Sequence, residues 1–521
     1  MKNIYLIITL SYLSAQMPFN CLFNQTNSLN RLGLQSNTII DIRYGRENEL
    51  YIGTGDSLGY VDIANPLSPI FSIVRDELLP EGGIPALKTY KLSDDNIMIV
   101  LSGATSIFIE GEGCEPSGTG ISWSMDNGKT WKHMPQFIES STSPEISETT
   151  WRGQQIKYKT ITTTIENISY DLDVHEDYIY ATSWAGGVRR FNYLDEDPQW
   201  EVIPLPMDDQ DDLKCGEINE NEYLLDPVNN DNQKAFSVYA TSNTIWVGTA
   251  GGINKGIVNI DDCIDWVHYN TEDGLGGDWI IGIIPHKSVI GTRLWLISWD
   301  GEPPSPHPLT YTDNGGETWG KVTQFEEQGI IVYNLSFSSR YIMASTDHGL
   351  YYSENDGEFW KQIPITSDIN GERILSENVY TAVSIGEGIT ADTLFIGTGD
   401  GVSIISTSGE TMDNIRFWEP PKPFSAYPNP FFINSQNLVG GYGYVRFIYS
   451  NPNESSGKID VFDFAMDMVI HLNNPNPVTQ EENEITWNGQ NEYGDKVANG
   501  VYFCRLSLNG EYYWTKLAVI N

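Results

Sequence analysis

The stretch LFIGTGDGV, Leu394 to Val402, decides the fold, because the same phrase returns upstream. It reads LYIGTGDSLGYV at Leu50 to Val61, YIYATSWAGGV at Tyr178 to Val188 and TIWVGTAGGI at Thr244 to Ile253. Weaker copies are RLWLISWDG from Arg293, YIMASTDHGL from Tyr341 and, poorest, IMIVLSG from Ile97. Each is a β-branched and aromatic run, then small residues, then a glycine turn and a second apolar run: strand, tight turn, strand. Gly397, Gly399 and Gly401 would suit a phosphate loop only if a helix followed, and a strand follows instead.

The small residue that ends each first run falls at Gly53, Ser102, Ala181, Gly248, Ile297, Ala344 and Gly397, at spacings of 49, 79, 67, 49, 47 and 53 residues. Seven units of roughly fifty residues, each offering several short strands, predict an all-β fold, a seven-bladed β-propeller over residues 22–418. A four-stranded twisted sheet cannot bury both faces alone, whereas radial packing buries them against neighbours and leaves only short edges. An inner strand precedes most copies: TIIDIRYG from Thr38, ISYDLDVH from Ile168, AFSVYA from Ala235, WIIGII from Trp279, IVYNLSFS from Ile331 and VYTAVSIG from Val379. The two long spacings hold insertions, about Gln136 to Thr164 and Met207 to Asn232. Insertions in such a ring map to its rims, which makes these two the candidate binding face.

SMDNGKTW, Ser124 to Trp131, matches the Asp-box pattern S-x-D-x-G-x-x-W, and TDNGGETW from Thr312 and SENDGEFW from Ser353 resemble it with Asn in the Asp position. The candidate turn residues are Ser124, Asp126, Gly128 and Trp131; Thr312, Asn314, Gly316 and Trp319; and Ser353, Asn355, Gly357 and Trp360. A short carboxylate or amide caps the turn's N–H groups, glycine supplies the positive φ, and tryptophan wedges between sheets. The resemblance implies structural turns at the outer edge of blades. Sialidases carry such turns, but their chemistry needs three converging arginines with a tyrosine and an acid, and no inner-strand arginine set is visible here. Asp41, Asp171 and Asp173 lie on expected inner strands and are read as satisfying backbone amides or lining a wet channel. GxSxG, phosphate-loop and HExxH patterns are absent, so no catalytic residue is assigned. IYATSWAGGVRRF and IWVGTAGGI also resemble two-component-regulator-type propeller repeats, a likeness that implies fold without activity.

Among 521 residues, 30 basic against 70 acidic side chains leave a net charge of −40, which argues against nucleic acid and anionic membranes as partners and for a solvated, secreted surface. No cofactor is expected. Calcium is the metal that the acidic loops DEDP from Asp195 and IDDCID from Ile260 would suit, although DxDxDG loops are missing. Residues 1–16 carry a lysine, an apolar run from Ile4 to Leu13 and small residues, the pattern of a secretory signal. Later segments are not apolar enough to cross a membrane. Of the five cysteines, Cys215 and Cys263 flank one repeat and are placed for pairing, and Cys504 sits in a strand pattern as a small buried residue.

After Trp418 the composition shifts to EPPKPFSAYPNPFF, which predicts an extended linker over 419–426 and then a small β-sandwich of five to seven strands over 427–521. YPNPF from Tyr427, VFDFAMDMV from Val461, WNGQNEYGDKVANGVYFCRL from Trp487 and KLAVIN from Lys516 resemble the type IX secretion C-terminal sorting domain and its FlgD-like immunoglobulin relatives. The resemblance marks Tyr427, Pro428, Asn429 and Pro430 as motif, Gly489, Gly494 and Gly500 as turns, and Trp487, Val497 and Tyr502 as core. One departure is FFINSQN after the Pro-Asn-Pro, where relatives more often carry Asn-Pro-Ser or Asn-Pro-Ala. The resemblance implies export across the outer membrane of a Gram-negative bacterium, with the secretion machinery as partner. The whole chain then reads as a secreted or surface binding protein for a protein or polysaccharide ligand. The rivals are an extracellular glycoside hydrolase or lyase acting in the channel, and an accessory component of the secretion apparatus.

Overall fold

Runs such as Glu49–Thr54 (ELYIGT) and Thr393–Thr398 (TLFIGT) are buried at nearly every position, so both faces of each strand meet other protein. In a computed structural model of the chain these runs are the second strands of four-stranded antiparallel sheets. The structure describes residues 29–30, 33–34 and 36–521, apart from 67, 81, 94, 110–112, 141, 166, 260, 289–290, 300–305, 339, 366–367, 369–372, 387–392, 407–409, 420–423, 452–455 and 475–481. The expected signal segment, 1–16, lies outside the described residues.

Seven sheets follow in chain order among the described residues, the fourth with one added edge strand. Their inner strands are Ile39–Tyr44, Gly83–Lys91, Asp171–His175, Ala235–Ala240, Trp279–Ser288, Val332–Phe337 and Val379–Ile385. Each pair of neighbours shares one apolar core. Tyr51 and Leu58 of sheet one pack with Leu87 and Ile99 of sheet two, and the series continues around the ring until Ile39 and Ile52 of sheet one pack with Phe395 and Val402 of sheet seven. The period of two explains the double burial: Leu50 and Ile52 point to the seventh sheet's core, and Tyr51 points to the second's. The ring is thus a closed propeller. Its first and last sheets each draw all four strands from one continuous segment.

Because strands alternate in direction, the turn between second and third strands opens on the same face as the connections between sheets. The turn between third and fourth strands opens on the other face. Both insertions lie on connections between sheets, but they do not stand free. Ile146–Trp151 and Gln154–Lys159 form a hairpin, Leu225 N–H donates to the Lys157 carbonyl, and Lys159 N–H donates to the Leu225 carbonyl, each at 2.9 Å. Trp151, Ile156, Tyr223 and Leu225 then join the core between sheets three and four, and a Cys215–Cys263 disulfide ties the second insertion to sheet four. The apolar residues of each insertion need the other as cover, which is why the rim loops expected from sequence form a wall.

The C-terminal module differs from expectation in three places. It has eight strands among the described residues, because the residues around the Pro-Asn-Pro form short strands that proline hides from a pattern search. Phe424–Tyr427 pairs with Val445–Ser450, so the expected linker overlaps the first strand of the module by three residues. Gly500 makes no turn; it opens the long strand Gly500–Leu508 opposite Val519. A three-stranded and a five-stranded sheet enclose one core around Phe447, Ile459, Trp487 and Leu506, with Cys504 buried in it. Leu29–Asn30 pairs with Trp418–Glu419 where the ring ends.

The module is seated on the ring by buried charge. The turn of the opening phrase presents Asp400, which accepts from Leu375 N–H at 2.6 Å and pairs with Arg446 of the module. Arg446 also pairs with Glu484, which meets Arg416 of the ring at 2.9 Å. The Arg446 side chain is 0% exposed and that of Asp400 2%. Burial alone would raise the Glu484 pKa, but the two guanidiniums outweigh it and hold the carboxyl below its ordinary range. Breaking one member strands the others without water. Arg446→Met is therefore expected to cost about 3–5 kcal/mol, read as a fall in the denaturant midpoint, while Arg446→Met with Asp400→Asn costs less than the sum of the two single changes.

Candidate functional site

The three Asp-box-like turns share one geometry. Ser124 Oγ accepts from Gly128 N–H at 2.9 Å and donates to Asp126 Oδ1 at 2.9 Å, and Asp126 Oδ1 accepts from Thr130 N–H at 2.9 Å. Thr312, Gly316, Asn314 and Thr318 repeat this at 2.9, 3.0 and 3.0 Å. Ser353, Gly357, Asn355 and Phe359 repeat it at 3.0, 2.8 and 3.1 Å. All three turns join third and fourth strands, of sheets two, five and six. Trp131 and Trp360 donate from Nε1 to the carbonyls of Gly128 and Gly357, whereas Trp319 packs against Trp246 and Tyr269 of the preceding sheet.

Each turn also grips the sheet before it, which the pattern does not announce. The residue just before the box glycine turns left-handed, at φ 65° in Asn127, 67° in Gly315 and 55° in Asp356. Its carbonyl accepts from Tyr51 Oη at 3.1 Å, Lys255 Nζ at 2.6 Å and Arg293 Nη1 at 2.9 Å respectively. A Cβ on Gly357, itself at φ 87°, would stand 2.6 Å from Trp295, so glycine is required there for space as well as for conformation.

The inner strands carry the other polar cluster. Asp41 Oδ2 pairs with Arg43 at 2.8 Å, its Oδ1 accepts from Ile42 N–H at 2.9 Å, and Arg43 Nε reaches the Leu87 carbonyl of sheet two at 3.0 Å. Asp171 pairs with Lys88 of sheet two at 3.3 Å and accepts from Val238 N–H of sheet four at 3.0 Å. Asp173 accepts from the Tyr90 hydroxyl of sheet two and, at 2.7 Å, from Ala240 N–H of sheet four. The two aspartates of sheet three thus hold both neighbours. Burial pushes Asp41 and Asp173 above the usual carboxylate range, with Arg43 and Lys88 as the main opposing charges. Burial disfavours the Lys88 ammonium, but Asp171 and Asp173 outweigh it and raise its pKa.

Above these pairs the channel holds a cavity of about 140 Å³. Six of the seven pairings between inner and second strands contain a β-bulge near the start of the inner strand. The residues there line the cavity: Ile40, Pro85, Phe236, Ile281, Tyr333 and Tyr380, with Tyr170 at the matching place in sheet three. A bulge re-aims one side chain, and here each re-aimed side chain joins a collar. Sequence reasoning missed this collar, although its signal stands in VYN, VYT, AFS and SYD, a large residue ahead of a small polar one in four inner strands.

In the module, Asn429 binds the edge of the last strand, donating to the Lys516 carbonyl at 2.8 Å and accepting from Ala518 N–H at 3.0 Å. Tyr427 and Asn429 each precede a cis peptide bond to Pro428 and Pro430. Trp487 stacks edge-on with Tyr502 at 6.0 Å, Tyr502 donates to the Ala498 carbonyl at 2.7 Å, and Gly489 and Gly494 turn at φ 73° and 86°. Val497 is buried in the same core. Among the described residues no group of three or more His, Cys, Asp or Glu is placed to hold a metal ion, and no helix is long and apolar enough to cross a membrane.

No family model matches the chain, and no curated protein matches it. Among solved structures it is similar to an ancestral GH74 enzyme, at TM-score 0.49 and 13% identity over 94% of this chain and 63% of that one. It is similar to the β-propeller domain of Swd1 from Myceliophteria thermophila, at TM-score 0.43 and 12% identity over 73% and 99%. It is also similar to PorZ, a surface component of the type IX secretion system of Porphyromonas gingivalis, at TM-score 0.33 and 13% identity over 91% of this chain and 64% of that chain's length. The class of protein, an all-β propeller with an appended β-module, rests on the sheet topology.

The turns yield a test. Burial of the Asp126 carboxyl would raise its pKa, but Thr130 and Ser124 outweigh it and hold the carboxyl low. The stability it contributes is present above its unfolded pKa and is lost as pH falls through the lower folded value. Asn fills the same role at positions 314 and 355. Asp126→Asn is expected to leave stability at pH 7 within about 0.5 kcal/mol and to flatten the acid limb of the denaturation midpoint, whereas Asp126→Ala costs about 1 kcal/mol at pH 7.

Proposed function

We propose that the chain is a secreted or outer-membrane-surface binding protein without catalysis, a seven-bladed propeller of Asp-box and two-component-regulator-type repeats joined to an Ig-like sorting module. Residues 1–16 would direct passage across the inner membrane, and residues 427–521 would address the protein to the type IX machinery. The observation that carries the binding reading is the occupancy of the channel carboxylates. Asp41, Asp171 and Asp173 each accept a backbone N–H and a second partner, two of them across sheets. A glycosidase acid or nucleophile must be free to meet the scissile bond. The cavity above them stays open.

A second reading, a component of the secretion apparatus, is favoured by the seating of the module. Arg446, Asp400, Glu484 and Arg416 are buried between ring and module, and an address destined for removal would leave such charges stranded. Protease accessibility on intact cells tests the export reading. The chain is expected to be degraded from outside in a host with a working type IX translocon and protected when the translocon is deleted; equal exposure in both hosts would sink it. Retention in the outer-membrane fraction at full length supports the apparatus reading, and release or loss of the module supports cargo. Hydrolysis of any polysaccharide that Asp41→Asn or Asp171→Asn abolishes would overturn the noncatalytic reading.

A further inference from the structure

The collar cavity supports an inference that rests on the binding reading and gives it a ligand. We propose that the cavity is a subsite for a single uncharged sugar ring, a terminal or branching residue of a neutral polysaccharide. Its volume, about 140 Å³, suits one pyranose and excludes a folded protein segment. One part of its lining is aromatic, with Tyr333 and Tyr380 offering surfaces on which the apolar C–H face of a sugar can rest. The other part is polar and held in place from behind, as small-ligand sites require.

Charge selects the ligand class. The cations that face the cavity, Arg43 and Lys88, are matched by Asp41 and Asp171 at 2.8 and 3.3 Å. The lining is therefore balanced, so neither a phosphate or uronate nor a metal ion would recover its hydration energy on entry. A neutral polyol loses far less water and uses single hydrogen bonds. Two such groups are open on opposite sides of the channel. The Tyr170 hydroxyl has no hydrogen-bond partner among the described residues. Asn334 accepts from Leu335 N–H at 2.9 Å through Oδ1, which leaves its NH₂ without a partner among the described residues. Burial pushes the Tyr170 phenol pKa up, so it stays a neutral donor and acceptor. The bulges re-aim Tyr333 and Tyr380 toward the cavity, whereas Tyr170 reaches it from a pairing without a bulge.

The test is titration calorimetry of the full chain against a panel of neutral glucans, mannans and galactans, a polyuronate and a phosphorylated mannan. Tyr170→Phe and Asn334→Asp are measured in parallel. Tyr170→Phe removes only the hydroxyl, and Asn334→Asp keeps the acceptor while replacing the donor with a charge. The expected result is binding of a neutral glycan, weakened about fivefold by Tyr170→Phe and about tenfold or more by Asn334→Asp, with denaturation midpoints unchanged. Preference for the polyuronate or phosphorylated mannan, or no binding by any member of the panel, overturns the subsite. Neutral-glycan binding that survives both substitutions also overturns the subsite while leaving the binding reading standing; hydrolysis sensitive to Asp41 or Asp171 would remove that reading independently.

Discussion

Every feature of this molecule follows from the need to bury both faces of a four-stranded sheet. A sheet with one solvated face can stand on a single core, but here second strands such as TIWVGT and TLFIGT are apolar on both faces. Closing seven such sheets into a ring gives each face a neighbour. The large side chains at the seams, Trp123, Trp266, Trp295 and Trp360 among them, are almost fully buried, and each contributes on the order of 2–3 kcal/mol relative to exposure. A ring closed in this way has no weak edge, because the core between sheets seven and one is built like the others.

The seams also decide where polar groups go. Asp171 and Asp173, which sequence alone leaves ambiguous between chemistry and scaffolding, serve as bridges, because one oxygen of each meets a backbone N–H of sheet four and the other a side chain of sheet two. The same economy appears at the outer edge, where the left-handed carbonyl of a turn binds a tyrosine, lysine or arginine of the preceding sheet. Polar contacts at both radii fix the angle between sheets, while apolar contacts between them supply the energy. The channel collar results from the same geometry, since the bulges in six inner strands each turn one side chain toward the axis and Tyr170 takes the matching place in sheet three.

The ring and the C-terminal module form a continuous structure. Arg446 reaches from a central strand of the module into the turn that ends the last copy of the repeated phrase, and it satisfies the Arg373 carbonyl as well as two carboxylates. Glu377 reinforces the junction, donating its N–H to the Leu438 carbonyl at 2.9 Å and accepting from Gly440 N–H at 2.6 Å. A proline-rich spacer would let the two parts move independently, whereas the buried charges hold them in one register.

Periodicity by itself determined the all-β class, the repeating unit and the glycine turns, because apolar double-faced strands and turn residues leave a mark that needs no partner to be seen. The positions of the Asp-box-like turns were legible for the same reason: the hydrogen bonds from Ser or Thr and from Asp or Asn that shape each turn run within eight consecutive residues. Only the tertiary structure decided the rest. Asp171 and Asp173 acquire their roles from residues on other sheets, the two insertions become a wall because each covers the other's apolar face, and the collar exists only when the side chains of six bulges and Tyr170 meet at one axis. Asp400 shows the limit most clearly. In the sequence it is one more polar turn residue of LFIGTGDGV, and it becomes a buried anchor because Arg446, 46 residues later, folds back onto it.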